Sequence, residues 1–271
     1  MTKRARLEDA WGPPANLGPQ INTSGWDATG GMSADGLVLY MESPGGIYTT
    51  TRATRDAPWG PRVNLGPIVN SPSAAGPMVS ADGLELYFAS ARSVAAGGYG
   101  KWDIWMSARA TKSDPWGTPV NLGEAVNGLM NDAPQWISPD GLTLFFFSDG
   151  PGTLGAVDAW MTTRAAKGSP WGPPRNLGAS INTPYSEYIT AISPDGRSCY
   201  FCDFTLGVGA YRSRPGGLGG VDIWQAPIIP IVDFNGDGKV DEKDLDLLMA
   251  DWGKSDFVCD IGPFPWGDGV V

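Results

Sequence analysis

The sequence predicts an all-β fold, a β-propeller of four four-stranded blades, followed by a small helix-and-loop tail. Three observations carry that expectation. The composition is rich in glycine and proline yet also aromatic, three motifs each recur four times in one order, and the acidity is concentrated at the C-terminal end.

Glycine (38) and proline (24) exceed ordinary usage in a chain of 271 residues, but 42% hydrophobic and 11% aromatic residues are enough to build a core rather than a disordered polymer. That combination suits short strands joined by tight turns. Net charge is −10, and residues 231–271 hold ten acids against three lysines, so most of the acidity belongs to the tail. No basic stripe is present, which argues against nucleic acid and anionic membranes as partners. There is no histidine, which excludes mechanisms built on an imidazole base and leaves too few ligands for a Cys/His zinc site. Of the three cysteines, Cys199 and Cys202 stand three apart in a predicted strand and point to opposite faces; with Cys259 they read as packing residues. No run of 18 apolar residues occurs, and Met1-Thr-Lys-Arg-Ala-Arg leads into no apolar segment. Neither a spanning helix nor a signal peptide is therefore predicted.

The first repeated motif reads Trp11-Gly-Pro-Pro-Ala-Asn-Leu-Gly18, and returns beginning at Trp59, Trp116 and Trp171. The second is a turn, Ser33-Ala-Asp35-Gly36, Ser80-Ala-Asp82-Gly83, Ser138-Pro-Asp140-Gly141 and Ser193-Pro-Asp195-Gly196, each leading into an apolar strand. Asp-Gly supplies the positive-φ corner of a hairpin. The third is a short strand after a glycine-rich loop: Gly46-Ile-Tyr48, Asp103-Ile-Trp105, Asp158-Ala-Trp160 and Asp222-Ile-Trp224. Each repeat of roughly 50 residues thus offers four strands, the size and content of a propeller blade. The leading Trp-Gly strand precedes three complete sets and a last set that lacks its own, so it is predicted to complete the fourth blade and close the ring. The tryptophans, placed alike in every repeat, are expected to pack between blades. The regularly repeated Asp103, Asp158 and Asp222 are expected to hold turns.

The Ser-Pro/Ala-Asp-Gly turn with its apolar strand resembles the WD40-like (PD40) β-propeller repeat found in the TolB propeller and in many bacterial surface and secreted proteins. The resemblance covers residues 11 to 226. It implies the fold and an extracellular or cell-surface setting, but no particular reaction.

The tail carries a different signal. Asp233, Asn235, Asp237, Asp241 and Asp244 put oxygen ligands at positions 1, 3, 5, 9 and 12 of a loop whose position 7 is Lys239, available through its carbonyl, and whose position 6 is Gly238. A hard cation needs such an oxygen cage and a sharp turn within it, so Ca²⁺ is the expected cofactor. Residues Asp241 to Trp252 predict the exiting helix, with Leu245, Leu248, Met249 and Trp252 along one face. No entering helix is predicted, because Pro227 and Pro230 impose an extended linker over 227–232. A loop with only its exiting helix resembles the first half of a type I dockerin, with an incomplete second half around Asp260 and Asp268. The resemblance implies calcium-dependent docking to a cohesin-like partner, although Glu242 and Lys243 stand where cohesin-binding dockerins often carry hydroxylic residues. The predicted domains are thus a propeller over 1–226, the linker, and a calcium module over 233–271, in a monomer.

The position six residues before the turn serine is Asp27, Ala74, Asp132 and Glu187 in the four repeats. If the blades are equivalent, the three acids gather at one mouth of the propeller channel, with Trp26, Met130, Tyr185 and Tyr188 beside them, a mix of carboxylates and aromatic faces suited to a sugar. The other reading is that each acid caps the start of its strand. Two functions follow. One is a non-catalytic binding or scaffold protein, the propeller holding a glycan or protein and the tail docking it. The other is a glycoside hydrolase or lyase using Asp27, Asp132 and Glu187, for which carboxyl separation is the discriminating quantity. Fourfold regularity favours binding, because acid/base catalysis needs carboxylates in unlike environments.

Overall fold

The computed structural model describes residues 12–193, 198–204, 216–217, 221–227 and 242–251. Trp11, the fourth Asp-Gly corner, the linker beyond Pro227, the loop from Asp233 to Asp241, Cys259, Asp260 and Asp268 lie outside them, as does the side chain of Asp244. The chain forms two compact units, Met1–Gly141 and Leu142–Val271.

In the first unit, β1 (Ala28–Met32), β2 (Val38–Ser43), β3 (Gly46–Thr51) and β4 (Val63–Asn64) form one antiparallel sheet in chain order. A short helix, α1 (Pro67–Asn70), leads to β5 (Ala75–Val79), β6 (Glu85–Ser90), β7 (Asp103–Ala108) and β8 (Val120–Asn121), ordered likewise, and then β9 (Asp132–Ile137). The second unit contains β10 (Thr143–Ser148), β11 (Asp158–Thr163) and β12 (Arg175–Asn176), then β13 (Ser186–Ile192), β14 (Ser198–Phe204) and β15 (Asp222–Pro227). Four sheets result, the third ordered β12-β11-β10-β9. The expected four-blade, all-β propeller is what the chain adopts. A last helix, α2 (Glu242–Asp251), falls within the predicted span, whose end residues lie outside those described.

The hairpin corners satisfy themselves. Ser33 Oγ donates to Asp35 Oδ1 (2.6 Å) and accepts from the Val38 amide (2.9 Å), while Asp35 Oδ1 also accepts from the Leu37 amide (2.9 Å). Ser80 and Asp82 repeat the arrangement around Leu84 and Glu85. Gly36 and Gly83, both at φ 73°, supply the left-handed corner that a side chain would disfavour.

Two departures from the expected blade concern the fourth strand. The strands β4, β8 and β12 are only two residues long; a proline stands within two residues after each of these Trp-Gly pairs and cannot donate to the ladder. The fourth sheet holds three strands among the described residues.

What replaces the short fourth strand is a carboxamide clamp. Asn127 Oδ1 accepts the Ile104 amide (2.8 Å), and its Nδ2 donates both to Ile104 O (3.0 Å) and to Asn121 Oδ1 (2.7 Å). Asn70 clamps Ile47 and Asn182 clamps Ala159 in the same way, each also donating to the asparagine of its own Asn-Leu-Gly. One side chain thus takes the N–H of a residue whose carbonyl still accepts a backbone amide, that of Leu65, Leu122 or Leu177 (each 3.1 Å).

Burial follows from blade stacking. Every residue of β6 is buried and β10 nearly so, since a middle strand has neighbours on both faces. In the first unit one cluster joins Tyr40 and Ile47 to Val79, Leu86, Phe88, Trp105 and Trp116, so the expected packing of a Trp-Gly tryptophan between blades is observed at Trp116. Cys199 is buried and Cys202 half-buried, neither in a disulfide, and burial pushes the Cys199 thiol up to about 11.

Asn127→Ala should destabilise the protein by ~1–3 kcal/mol, since it strands the buried N–H of Ile104, whose carbonyl keeps the Leu122 amide (3.1 Å). Urea melts test this, and a change under about 0.5 kcal/mol would show that water takes over the clamp.

Candidate functional site

The acids singled out by the repeat share one local geometry: each accepts hydrogen bonds from the residue four positions earlier, at the end of the loop leading into its strand. Asp27 Oδ2 takes the Thr23 amide (2.6 Å) and hydroxyl (3.0 Å), and its Oδ1 takes the Ser43 hydroxyl (2.5 Å) with Arg62 at 3.7 Å. The Ser43 hydroxyl first, then the Thr23 amide, hold its carboxyl below the ordinary value. Asp132, 1% exposed, accepts from the Gly128 amide (2.8 Å). Glu187, 0% exposed, accepts from the Thr183 hydroxyl. In the repeat with Ala74 instead of an acid, Ser90 donates to the Ser73 carbonyl. Asp132 and Glu187 are thus turned inward, and all three acids hold their own leading loops.

Those loops carry the exposed side chains. Trp26, next to Asp27, is 56% exposed, and Leu129, next to Gly128, is 77% exposed. Tyr188 differs from the expectation: it lies within β13, packed edge-on against Phe147 at 4.9 Å, and burial drives its phenol up to about 12. Met130 and Tyr185 are half-buried.

The second unit adds an acid that the sequence reading missed. Asp203 is the register partner of Glu187 on one side and of Asp222 on the other, so three carboxylates lie in one cross-strand row over β13, β14 and β15. Glu187 and Asp203 are wholly excluded from solvent. In the other repeats the Asp203 position is Ser43, Ser90 or Ser148, and that serine-to-aspartate change was the available signal. Its local partner is also specific: Trp224 Nε1 donates to Asp203 Oδ1 (2.7 Å), whereas the Nε1 atoms of Trp105 and Trp160, at equivalent positions, are buried without a hydrogen-bond partner. Among the described residues no group of three His, Cys, Asp or Glu is arranged to hold a metal ion.

The remaining repeated polar residues act locally. Asp103 accepts from the amides of Tyr99 (2.6 Å) and Gly100 (2.9 Å) and from Asn121 Nδ2 (3.0 Å); Asp158 does the same with Leu154, Gly155 and Asn176. Another device unrecognised in the sequence is an arginine seven residues before each of three Trp-Gly tryptophans. Arg52, Arg109 and Arg164 lie over Trp59, Trp116 and Trp171 at 4.4, 4.2 and 4.6 Å. The Nε of Arg52 and that of Arg109 donate to the turn carbonyls of Gly36 and Gly83. The Arg-x6-Trp spacing was its signal.

These sheets and their locked corners define the class: an all-β, four-blade β-propeller with few helices. TolB from Acinetobacter baumannii has a similar fold, with TM-score 0.50 and 15% identity over 77% of this chain and 43% of that one. A putative TolB from Agrobacterium tumefaciens matches at TM-score 0.45 and 19% identity over 76% of this chain and 60% of that one. A Hadza microbial sialidase matches at TM-score 0.42 and 10% identity over 74% and 43% of the two chains. The chain thus spans 43% and 60% of the two TolB structures, and at such identities the likeness is one of fold. No protein-family model and no curated protein matches the chain. Among the described residues no helix is long and apolar enough to cross a membrane.

A pH dependence follows for Asp27. Its folded-state carboxyl titrates below the ordinary value, so its contribution to stability is present above about pH 4 and is lost as pH falls through the lowered folded value. The stability gap between the wild type and Asp27→Asn should therefore be constant near neutrality and shrink below about pH 4. Denaturant melts at several pH values measure it, and a gap that widens on acidification contradicts the assignment.

Proposed function

We propose that this chain is a non-catalytic, extracellular binding and scaffold protein: the propeller presents its loops to a glycan or protein ligand, and the C-terminal segment gives calcium-dependent docking. The observation that carries the propeller half is the use made of the acids. Asp132 and Glu187 are withdrawn from solvent and all three acids hold loop backbone or hydroxyl groups, while Trp26 stands 56% exposed on the loop that Asp27 secures. General acid/base catalysis needs a carboxyl that a substrate can reach. Loops fixed from within and tipped with an exposed aromatic suit recognition.

Screening against a polysaccharide array, followed by Trp26→Ala on any hit, tests this reading. Trp26→Ala should weaken binding about tenfold, roughly 1.4 kcal/mol, without lowering thermal stability. Release of oligosaccharide products, abolished in Glu187→Gln or Asp203→Asn, would instead establish a hydrolase or lyase that uses the buried row.

For the tail, the support is the ligand spacing from Asp233 to Asp244 and the position of α2, which begins at Glu242, immediately after position 9 of the loop. Asp233, Asn235, Asp237, Asp241 and Asp244 would supply side-chain oxygens and Lys239 its carbonyl, and the bound ion would neutralise their clustered charge. Asp260 and Asp268 would belong to an incomplete second site, and a cohesin-like protein would be the partner. Calcium titration of the full chain by calorimetry should show one saturable site that Asp237→Ala abolishes; equal heats from both proteins would sink the calcium reading and leave the propeller reading intact.

A further inference from the structure

The first unit contains a cavity of about 220 Å³ on the turn side of its two blades, remote in chemistry from the acids discussed above. One wall comes from β2 and the turn before it, with Asp35, Val38 and Tyr40; the other comes from the segment after β7, with Arg109, Lys112 and Trp116. Tyr40 and Trp116 are buried and meet edge to face at 6.3 Å and 63°, so the floor is aromatic and rigid, with the two rings set at an angle. The rim is polar, with two cations facing one carboxylate in a chain whose overall charge is −10.

Arg109 distinguishes this place from the equivalent one in the preceding blade. There, Arg52 lies over Trp59, its Nε bonds Gly36 O, and its Nη1 is taken by the Arg55 carbonyl at 2.5 Å. Arg109 makes the same stack and the same Nε bond. Its Nη2, however, reaches only the Tyr40 hydroxyl at 3.5 Å, the outer limit for a hydrogen bond, and its Nη1 has no protein partner. Lys112, three residues on, stands where the first blade has Arg55. Instead of an internal bond it offers an ammonium 3.5 Å from Asp35 Oδ2, and more than half of the side chain is exposed. An exposed pair at that distance is weak and exchangeable. Burial also raises the Tyr40 phenol above its ordinary value, so at neutral pH it remains a hydroxyl able to donate. A guanidinium edge, an ammonium and a phenol therefore converge on a space floored by aromatic rings.

We propose that this cavity binds a small organic monoanion, a carboxylate on a flat apolar body of one ring. The carboxylate accepts from the free edge of Arg109, from Lys112 and from the Tyr40 hydroxyl, while the ring lies on Trp116 and Val38. Arginine is suited to this because its fork meets both oxygens of a carboxylate. A cavity of about 220 Å³ lies below the range for drug-sized ligands and matches a body of about ten heavy atoms.

The test is isothermal calorimetry of the full chain with benzoate, and with benzyl alcohol as the neutral counterpart. Benzoate should bind saturably in the millimolar range or tighter, and benzyl alcohol at least tenfold more weakly. Lys112→Met and Tyr40→Phe, neither of which removes the Arg109–Trp116 stack, should each weaken benzoate several-fold at unchanged thermal stability. Absence of saturable benzoate binding to the wild type, binding equally tight in both variants, or equal affinity for the neutral alcohol would each overturn the proposal. Arg109→Gln is the harsher variant, because it also leaves the Gly83 carbonyl without its donor; the two milder substitutions keep the result readable if that variant fails to fold.

Discussion

The structure depends on how each blade ends. A four-stranded blade needs its third strand covered, yet the fourth is only two residues long, with a proline within two residues after each Trp-Gly pair. At its start the third strand's C=O takes a backbone amide from Leu65, Leu122 or Leu177, but its N–H would be left without a partner in a buried place, costing about 1–3 kcal/mol. The side-chain amides of Asn70, Asn127 and Asn182 remove that cost by accepting the N–H of Ile47, Ile104 and Ala159, and each also donates to the same residue's carbonyl. Because the same amide also grips the asparagine of its Asn-Leu-Gly, the loop leaving the blade is fixed at its base. The next acid along, Asp132 after Asn127 and Glu187 after Asn182, secures the far end of that loop, whereas Asn70 is followed by Ala74. Blade edge and loop are thus one hydrogen-bonded unit.

Most of the repeat was readable in the amino-acid sequence for the same reason. A part that must do the same job in every blade leaves the same residues at the same spacing, as the Ser-x-Asp-Gly corners and Asp103 and Asp158 do. The fourth strand was overestimated because its motif is regular while its pairing is not: proline preserves an extended backbone but not a ladder. The second asparagine of the clamp went unnoticed because asparagine in a loop is common, and its importance appears only when its two bonds to a strand some twenty residues earlier are seen. Tyr188 was placed among the loop aromatics because it adjoins Glu187, whereas strand register seats it against Phe147.

What the repeat cannot reveal is where one blade departs from the others. Asp203 replaces a serine, and in the folded chain that single change sets a second carboxylate beside Glu187 and gives the Trp224 indole a partner that Trp105 and Trp160 lack. Lys112 stands where the first blade has Arg55, whose side chain is tied to the turn carbonyls of Asp35 and Ala34, and it faces the Asp35 carboxylate instead. Neither substitution is conspicuous in a linear reading, since acid, lysine and arginine are all ordinary surface residues. Their meaning comes from neighbours contributed by distant parts of the chain, Glu187 in one case and Asp35 with Tyr40 in the other.

Repetition and function therefore occupy different residues here. A residue fixed by the repeat serves every blade equally, and equal service is the mark of a structural role: the clamps, the corners and the arginine-tryptophan stacks. Recognition requires asymmetry, because a ligand touches some blades and not others. In the first unit the asymmetry lies in exposed loop tips such as Trp26 and in the cavity bordered by Arg109 and Lys112; in the second it lies in the cross-strand row of buried Glu187 and Asp203 with half-buried Asp222. The first two are open to solvent and lined by groups with spare bonding capacity, whereas Glu187 and Asp203 are closed off. The exposed irregularities of the first unit are thus aromatic and cationic, whereas the acidic pair of the second unit, Glu187 with Asp203, is closed to solvent.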